Sequence, residues 1–130
     1  MTKLTKNFDL KEFNCKDNSE TPAELIPNLQ ELANNLQILR DFLGTSLHIN
    51  SGYRSHAYNK KIGGAKFSQH LLGKAADIRS NKFTPEQIHA AVIKLIDEGK
   101  VNFGGVGIYN SFLHVDIRKE KARWDLRTKK

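Results

Sequence analysis

A stripe of leucines at helical spacing is the feature that most constrains the fold of this chain. Between Ala23 and Leu43 the apolar positions recur four and three residues apart, which predicts an amphipathic helix with one face to bury. The leucines of the stripe are Leu25, Leu29, Leu32, Leu36, Leu39 and Leu43. Gly44 is a typical C-terminal stop for such a helix. The rest of the chain must therefore supply an apolar layer against which this face packs.

A second helix and a set of short strands can supply that layer. Thr84 and Gln87 form a capping box around Pro85, which predicts a helix that runs to Glu98. Alternation of apolar and polar residues predicts strands at Leu47–Ser51, Ala75–Arg79, Gly105–Tyr109 and Phe112–Ile117. A short helix is predicted over Ser55–Ile62. Together these elements predict an α+β fold, in which helices flank a small, mainly antiparallel sheet.

Length and composition bound the domain organisation. The chain has 130 residues, of which 38% are hydrophobic, and no repeat or linker divides it. We therefore predict one domain over residues 1–130, with a lead-in over residues 1–20 and a frayed basic tail over residues 125–130. Cys15 is the sole cysteine, which excludes an intrachain disulfide and a cysteine-rich zinc finger.

The formal charge of +7 favours a polyanionic partner, and both nucleic acid and an anionic bacterial cell wall meet that condition. Nucleic acid is the weaker candidate, because roughly forty residues separate the two predicted helices, which excludes a helix-turn-helix. No segment has the roughly 20 apolar residues of a membrane span. The first residues lack the apolar stretch of a secretory signal, so we expect the protein to be cytoplasmic as synthesised.

The last predicted strand carries polar chemistry on one of its two faces. Because side chains alternate across a strand, its apolar residues point to the core and its polar residues share the opposite face. The apolar set is Leu113, Val115 and Ile117, and the polar set is His114, Asp116 and Arg118. Such a polar face is either solvated surface or a functional site, and this strand alone leaves both interpretations open.

A second predicted strand places an aspartate on a similar face. Asp77 lies on the outward side of Ala75–Arg79, and His70 precedes it in the chain. Gly73 allows a sharp turn, so that His70 can fold back over this strand. If the two strands are neighbours, His70, Asp77 and His114 converge. Two imidazoles and one carboxylate suit zinc, with a fourth position left for water.

Several motifs, in order along the chain, resemble one family. The segment Ser68–Ile78 is similar to the Ser-x-His-x-x-Gly-x-Ala-x-Asp signature of the zinc D-alanyl-D-alanine carboxypeptidases. That family belongs to a larger group with the lysostaphin-type endopeptidases and the hedgehog signalling domain. Further segments that resemble it are Asn7–Phe13, Ser51–Ser55, Gly104–Tyr109, and Phe112–Arg118 with Arg123-Trp124 beyond. The end segment is similar to that of the small murein endopeptidases.

The resemblance implies a zinc site and a reaction. It implies that His70, Asp77 and His114 bind one zinc ion and that metal-activated water hydrolyses a peptide bond in the stem or cross-bridge of peptidoglycan. Both endopeptidase and D,D-carboxypeptidase activity are within the family's range. It also implies that Arg54 lies near the substrate, where its guanidinium can hold a carboxylate or stabilise a developing oxyanion.

Three further residues are expected at the substrate. Ser68 and Gln69 would line the site, and Tyr109 is placed near the cleft to hydrogen-bond a substrate. The glycine-rich run Gly104–Gly107 is interpreted as a close approach of the backbone to substrate, since no phosphate-loop lysine follows it. We expect the protein to act as a monomer on peptidoglycan peptides.

One departure from the family pattern concerns the general base. Many members place an acid three residues before the last zinc histidine, where this chain has Ser111. Asp116 shares a face with His114 and could act as base, or it could only orient His114 or Arg118. Two functions therefore stay open. One is an active peptidase, such as a phage lysin that reaches the wall through a holin; the other is a zinc-containing wall-binding module with little or no turnover.

Overall fold

A computed structural model describes residues 3–128 of the chain. The α-helices are α1 (Ile26–Leu43), α2 (His56–Lys61) and α3 (Pro85–Asp97). The strands are β1 (His48–Ser51), β2 (Ala75–Arg79), β3 (Gly105–Ile108), β4 (Leu113–Asp116) and β5 (Ala122–Asp125). Short 3₁₀ helices cover Leu10–Phe13, Ala23–Leu25 and Gln69–Leu72. Within the described residues, no helix is long and apolar enough to cross a bilayer.

The two long helices follow their predicted signals. The 3₁₀ turn at Ala23–Leu25 leads into α1, which ends at Gly44 in the left-handed conformation with φ 68°. Helix α3 begins with the predicted capping box, because the Thr84 hydroxyl accepts from the Gln87 amide at 3.2 Å while the Gln87 side chain accepts from the Thr84 amide. The central leucines of the stripe are fully buried: Leu29, Leu32, Leu36 and Leu39.

The sheet has the strand order β1-β2-β4-β3-β5. All neighbouring strands are antiparallel except β3 and β5, which run parallel. Helices α1 and α3 pack together, and α3 contacts β3 and β4. The predicted α+β fold is therefore confirmed. Because β4 lies between β2 and β3, Asp77 of β2 is paired in register with His114 of β4.

Strand β5 was not predicted from the sequence. Its residues do not alternate between apolar and polar, and a charged run precedes them. The strand forms because its backbone extends the sheet: the amide of Ala122 donates to Gly104 and that of Leu126 donates to Ile108, both at 2.9 Å. Beyond β5, Arg127 pairs with Asp125, whereas Lys129 and Lys130 of the tail expected to fray lie outside the described residues.

The polar face of the sheet is buried rather than solvated. Leu113 and Val115 lie in the core as predicted, yet His114 on the opposite face is only 7% exposed and Asp116 is 0% exposed. The interpretation of this face as solvated surface is therefore wrong. The indole of Trp124 packs against His114, and the Arg118 side chain pairs with Asp116, so the polar groups are covered by other parts of the chain.

Candidate metal centre

Three different elements place the histidines and the aspartate around one point. His70 belongs to the 3₁₀ helix Gln69–Leu72, Asp77 to β2 and His114 to β4. Gly73 adopts a left-handed φ of 67°, which ends the 3₁₀ helix and turns the chain into β2. The Oδ1 atom of Asp77 lies 3.3 Å from His70 Nε2 and 3.0 Å from His114 Nδ1. The three ligand atoms lie within 4.8 Å of one another, as the sequence predicted.

In each imidazole, the nitrogen that faces away from Asp77, here called the outer nitrogen, hydrogen-bonds to another part of the chain. The other nitrogen is therefore left for a metal. His70 Nδ1 lies 2.7 Å from the carbonyl oxygen of Gly52, and His114 Nε2 lies 2.7 Å from Asp116 Oδ2. Both outer partners are acceptors, so these nitrogens carry hydrogen and donate. The lone pairs of His70 Nε2 and His114 Nδ1 are consequently directed at Asp77 Oδ1, where without a cation one imidazole would need a second proton.

This donor set fits zinc. Two ligands at about 2.0 Å from a tetrahedral ion lie about 3.3 Å apart, which is close to the two distances from Asp77 Oδ1 to the imidazole nitrogens. Metal-binding histidines usually donate their other N–H to a carboxylate or a backbone carbonyl, and both kinds of partner are present. One side of the set is left to a cavity rather than to a fourth protein ligand, which is typical of a catalytic zinc site.

Neighbouring side chains stabilise the charged form of Asp77. Burial alone would raise its pKa, but the neighbouring imidazoles of His114 and His70 outweigh burial and hold the pKa of Asp77 well below its usual range. Its second oxygen, Oδ2, pairs with Arg54 Nη2 at 3.3 Å. Oδ1 is therefore directed at the imidazoles, and the carboxylate offers a single oxygen to a metal.

A cavity of about 440 Å³ opens in front of these groups. The predicted substrate residues Ser68, Gln69 and Tyr109 all line it, together with Arg54. Neither Ser111 nor Asp116, the two positions relevant to the general base, lines the cavity. The residues along its wall are Arg54, Gly63, Gly64, Ala65, Phe67, Ser68, Gln69, His70, Asp77, Tyr109, Phe112, His114, Arg118 and Trp124.

A family model described as Peptidase M15 matches residues 6–116. The chain belongs to the M15 peptidase family. A comparison with curated proteins found no match. M15 peptidases are zinc-dependent, and the His-Asp-His cluster lies wholly within the matched segment. The match ends at Asp116, so Arg118 and Trp124 lie beyond it.

In this M15 chain, Asp116 lies behind His114 and away from the cavity. Its Oδ1 accepts from the amide and Nε of Arg118, at 3.1 and 2.8 Å, and its Oδ2 accepts from Arg118 Nη2 and His114 Nε2, both at 2.7 Å. Burial would raise the pKa of Asp116, but the hydrogen bonds from His114 and Arg118 hold it well below its usual range. Both oxygens are thus engaged, which favours the orienting role over the base role. Ser111 is exposed in the turn between β3 and β4.

Arg54 is held by three acceptors. Nε donates to Ser51 Oγ at 3.1 Å, Nη1 to Asn59 Oδ1 at 3.2 Å and Nη2 to Asp77. Asn59 is 4% exposed, and its amide nitrogen donates to the carbonyl of Ala65 at 2.9 Å. It thereby joins Arg54 to the loop that forms the rim of the cavity. Sequence reasoning missed Asn59, because nothing in its spacing separates it from a surface asparagine.

The glycines of β3 make room for the protein's own side chains. Gly105 pairs with Asp116 in register, and a Cβ there would overlap the carboxylate. Gly107 lies between His114 on β4 and Trp124 on β5, and a Cβ there would overlap the indole. The interpretation of this run as an approach to substrate is therefore corrected: what comes close to these two glycines is the carboxylate and the indole.

The indole of Trp124 joins several groups of the site. Its ring centroid lies 5.0 Å from that of His114, and the Arg118 guanidinium lies over it at 5.4 Å. Its Nε1 donates to the Tyr109 hydroxyl at 3.0 Å. Tyr109 in turn stacks on Phe112 with ring centroids 4.4 Å apart. One wall of the cavity is therefore aromatic, and the hydrogen bond from Trp124 to Tyr109 holds this wall beside His114.

Proposed function

We propose that the chain is a zinc-dependent peptidoglycan peptidase that hydrolyses a peptide bond of the stem or cross-bridge, as an endopeptidase or a D,D-carboxypeptidase. The observation that carries this proposal is the direction of the two imidazole lone pairs and one carboxylate oxygen toward one point beside a cavity. Membership of the M15 family supports the reaction class. We propose further that residues 1–130 form a single peptidase domain.

The proposed ligands are His70 through Nε2, Asp77 through Oδ1 and His114 through Nδ1. When bound, zinc supplies a Lewis acid that polarises a carbonyl and acidifies water. The chain's own contribution is orientation. Gly52 holds the His70 ring, Asp116 holds the His114 ring, and both ligands are fixed before any metal arrives.

Arg54 is the proposed electrostatic residue. It lines the cavity, and Ser51, Asn59 and Asp77 hold its guanidinium in place. A fixed cation at this position can bind a substrate carboxylate or stabilise negative charge that develops on a peptide oxygen.

Ser68 and Gln69 line the cavity and are the proposed substrate-contact residues. Ser68 accepts a hydrogen bond from the His70 amide at 3.2 Å, so it also starts the turn that carries this ligand. Gln69 lies beside it on the cavity wall, where its amide can both donate to and accept from a peptide.

A second candidate function is a zinc-containing wall-binding module with weak or no turnover. The supporting observation is the composition of the cavity wall, on which Asp77 is the only carboxylate among the described residues. Ser111 lies outside the cavity, and Asp116 is engaged by His114 and Arg118. A group that takes the proton from the attacking water and returns it to the leaving amine would then have to be supplied by the substrate or by solvent.

The biological setting proposed for this activity is the anionic bacterial cell wall. The charge of +7 favours adhesion to wall polymers, with peptidoglycan peptides as substrate and a monomer as the acting form. A phage lysin, cytoplasmic as synthesised and released through a holin, is the specific role that we propose.

Digestion of defined muropeptides by zinc-loaded protein, read by mass spectrometry, tests the proposal. We expect one zinc per chain, and we expect products that correspond to hydrolysis of one peptide bond in the muropeptide. His114→Ala should abolish both, whereas the matched variant His48→Ala should keep both, because His48 is exposed on β1, outside the cavity, and its Nε2 lies 3.4 Å from the amide nitrogen of Asn81. Stoichiometric zinc with wall binding and no product would favour the binding module. Failure to bind zinc would reject both functions.

A further inference from the structure

The hydroxyl of Tyr109 has a hydrogen that the described protein does not use. The indole N–H of Trp124 can only donate, so in their 3.0 Å hydrogen bond the Tyr109 oxygen is the acceptor. A phenol hydroxyl also donates one hydrogen. Among the hydrogen bonds of residues 3–128, none takes that hydrogen. Tyr109 lines the cavity in front of the metal centre, where an acceptor on a ligand would lie.

The position of this hydroxyl is set by rigid contacts. The Tyr109 ring stacks on Phe112 with an interplanar angle of 12°. Trp124, whose Nε1 donates to this hydroxyl, has its indole over Gly107 of β3 and packs on His114. The hydroxyl oxygen is thus anchored through the indole to the ring of a proposed metal ligand.

We infer that Tyr109 is a catalytic residue that donates its hydroxyl hydrogen to a carbonyl oxygen of the bound peptide, and that Trp124 is the residue that positions it. The inference rests on the proposed peptidase function. Arg54 uses three of its five N–H donors on protein acceptors and keeps two for substrate, whereas Nε and Nη2 of Arg118 both donate to Asp116. Tyr109 is a neutral donor on the wall beside His114, suited to an uncharged amide oxygen rather than to a carboxylate.

Tyr109→Phe tests the donor, because it removes the hydroxyl and keeps the ring stacked on Phe112. We expect kcat/KM for muropeptide cleavage to fall about tenfold, the scale of one lost hydrogen bond, with zinc content and Tm unchanged. The matched variant Tyr58→Phe, on α2 and away from the cavity wall, should stay within twofold of the wild type. A Tyr109→Phe enzyme as active as the wild type would overturn the inference while leaving the peptidase proposal intact.

Trp124→Phe tests the positioning role. It keeps an aromatic ring at this place and removes the N–H. If Trp124 acts through Tyr109, Trp124→Phe lowers kcat/KM in the wild-type background and has no further effect in the Tyr109→Phe background. Equal losses in both backgrounds would show that Trp124 has a merely structural role.

A second measurement separates failure of this inference from failure of the peptidase proposal. If the wild-type protein cleaves no muropeptide, the same variants are compared for muropeptide binding by calorimetry. We then expect binding about tenfold weaker in Tyr109→Phe than in Tyr58→Phe. Equal affinities in the two variants, or no binding by either, would overturn the role of Tyr109.

Discussion

Replacement of Asp116 by asparagine separates the two roles that this carboxylate could have. The substitution keeps the shape of the side chain and removes its charge. Asp116 accepts from His114 Nε2 and from three groups of Arg118, so each oxygen faces only donors. An asparagine must turn its NH₂ group toward one of these donors. At least one hydrogen bond is lost, and a donor faces a donor without solvent to separate them.

The expected loss is in zinc affinity. Removing the partner of a metal-binding histidine typically weakens metal binding about 10- to 100-fold, or about 1.4 to 2.7 kcal/mol. The upper part of that range applies here, because the 2.7 Å contact involves a charged acceptor and the carboxylate is fully buried. Turnover at saturating zinc should fall less than zinc affinity does, since the His114 ring can still be bound by excess metal.

Competition with a chromophoric chelator measures the zinc affinity of Asp116→Asn. Asp125→Asn is a closely matched control, because Asp125 accepts from the amide, Nε and Nη2 of Arg127 in the same arrangement, at an exposed site where these three donors all belong to Arg127. We expect the control to bind zinc like the wild type. If Asp116→Asn also binds zinc like the wild type but loses turnover more than 100-fold, Asp116 acts on the substrate as a base. The orienting argument would then be refuted.

Three further substitutions test the surrounding structure. Asn59→Ala should lower kcat about tenfold at unchanged zinc content and have no further effect in an Arg54→Ala background; additive losses would contradict positioning through Arg54. Gly107→Ala should displace the sole tryptophan, so its fluorescence emission should shift, and an unchanged spectrum would refute the close packing. Leu36→Ala should lower the unfolding free energy in urea by about 2–5 kcal/mol, against at most about 0.5 for the partly exposed Ile38→Ala. Equal losses at these two positions would contradict the assigned buried face of α1.

The elements that could be predicted carry their signals locally. The leucine stripe, the capping box at Thr84 and the alternation in β4 each specify an element without reference to the rest of the chain. Strand β5 has no such signal, because it is held by backbone pairing with β3 and by the packing of Trp124 on Gly107. A strand that depends on its partner in this way is not recognisable from its own residues.

The candidate site likewise has features that the sequence predicts and features that depend on contacts between strands. The convergence of His70, Asp77 and His114 could be predicted once β2 and β4 were assumed to be neighbours, and the register confirms that geometry. The choice between a base and an orienting role for Asp116 depended on which side of His114 its carboxylate lies. That side is determined by the hydrogen bonds from Arg118 and by the space at Gly105, and this space is apparent only when β3 and β4 are paired.

The pairing of β3 with β4 therefore decides how the polar face functions. Along β4 the two polar residues on the face opposite the core, His114 and Asp116, each lie opposite a glycine of β3, while Val115 lies opposite Val106 in the core. A slip of one residue would bring Val106 opposite a polar residue and move the glycines to the core side, since side chains alternate with period two. The space for the carboxylate and the indole would be lost together. The metal site is thus specified by a two-strand register as much as by its three ligands.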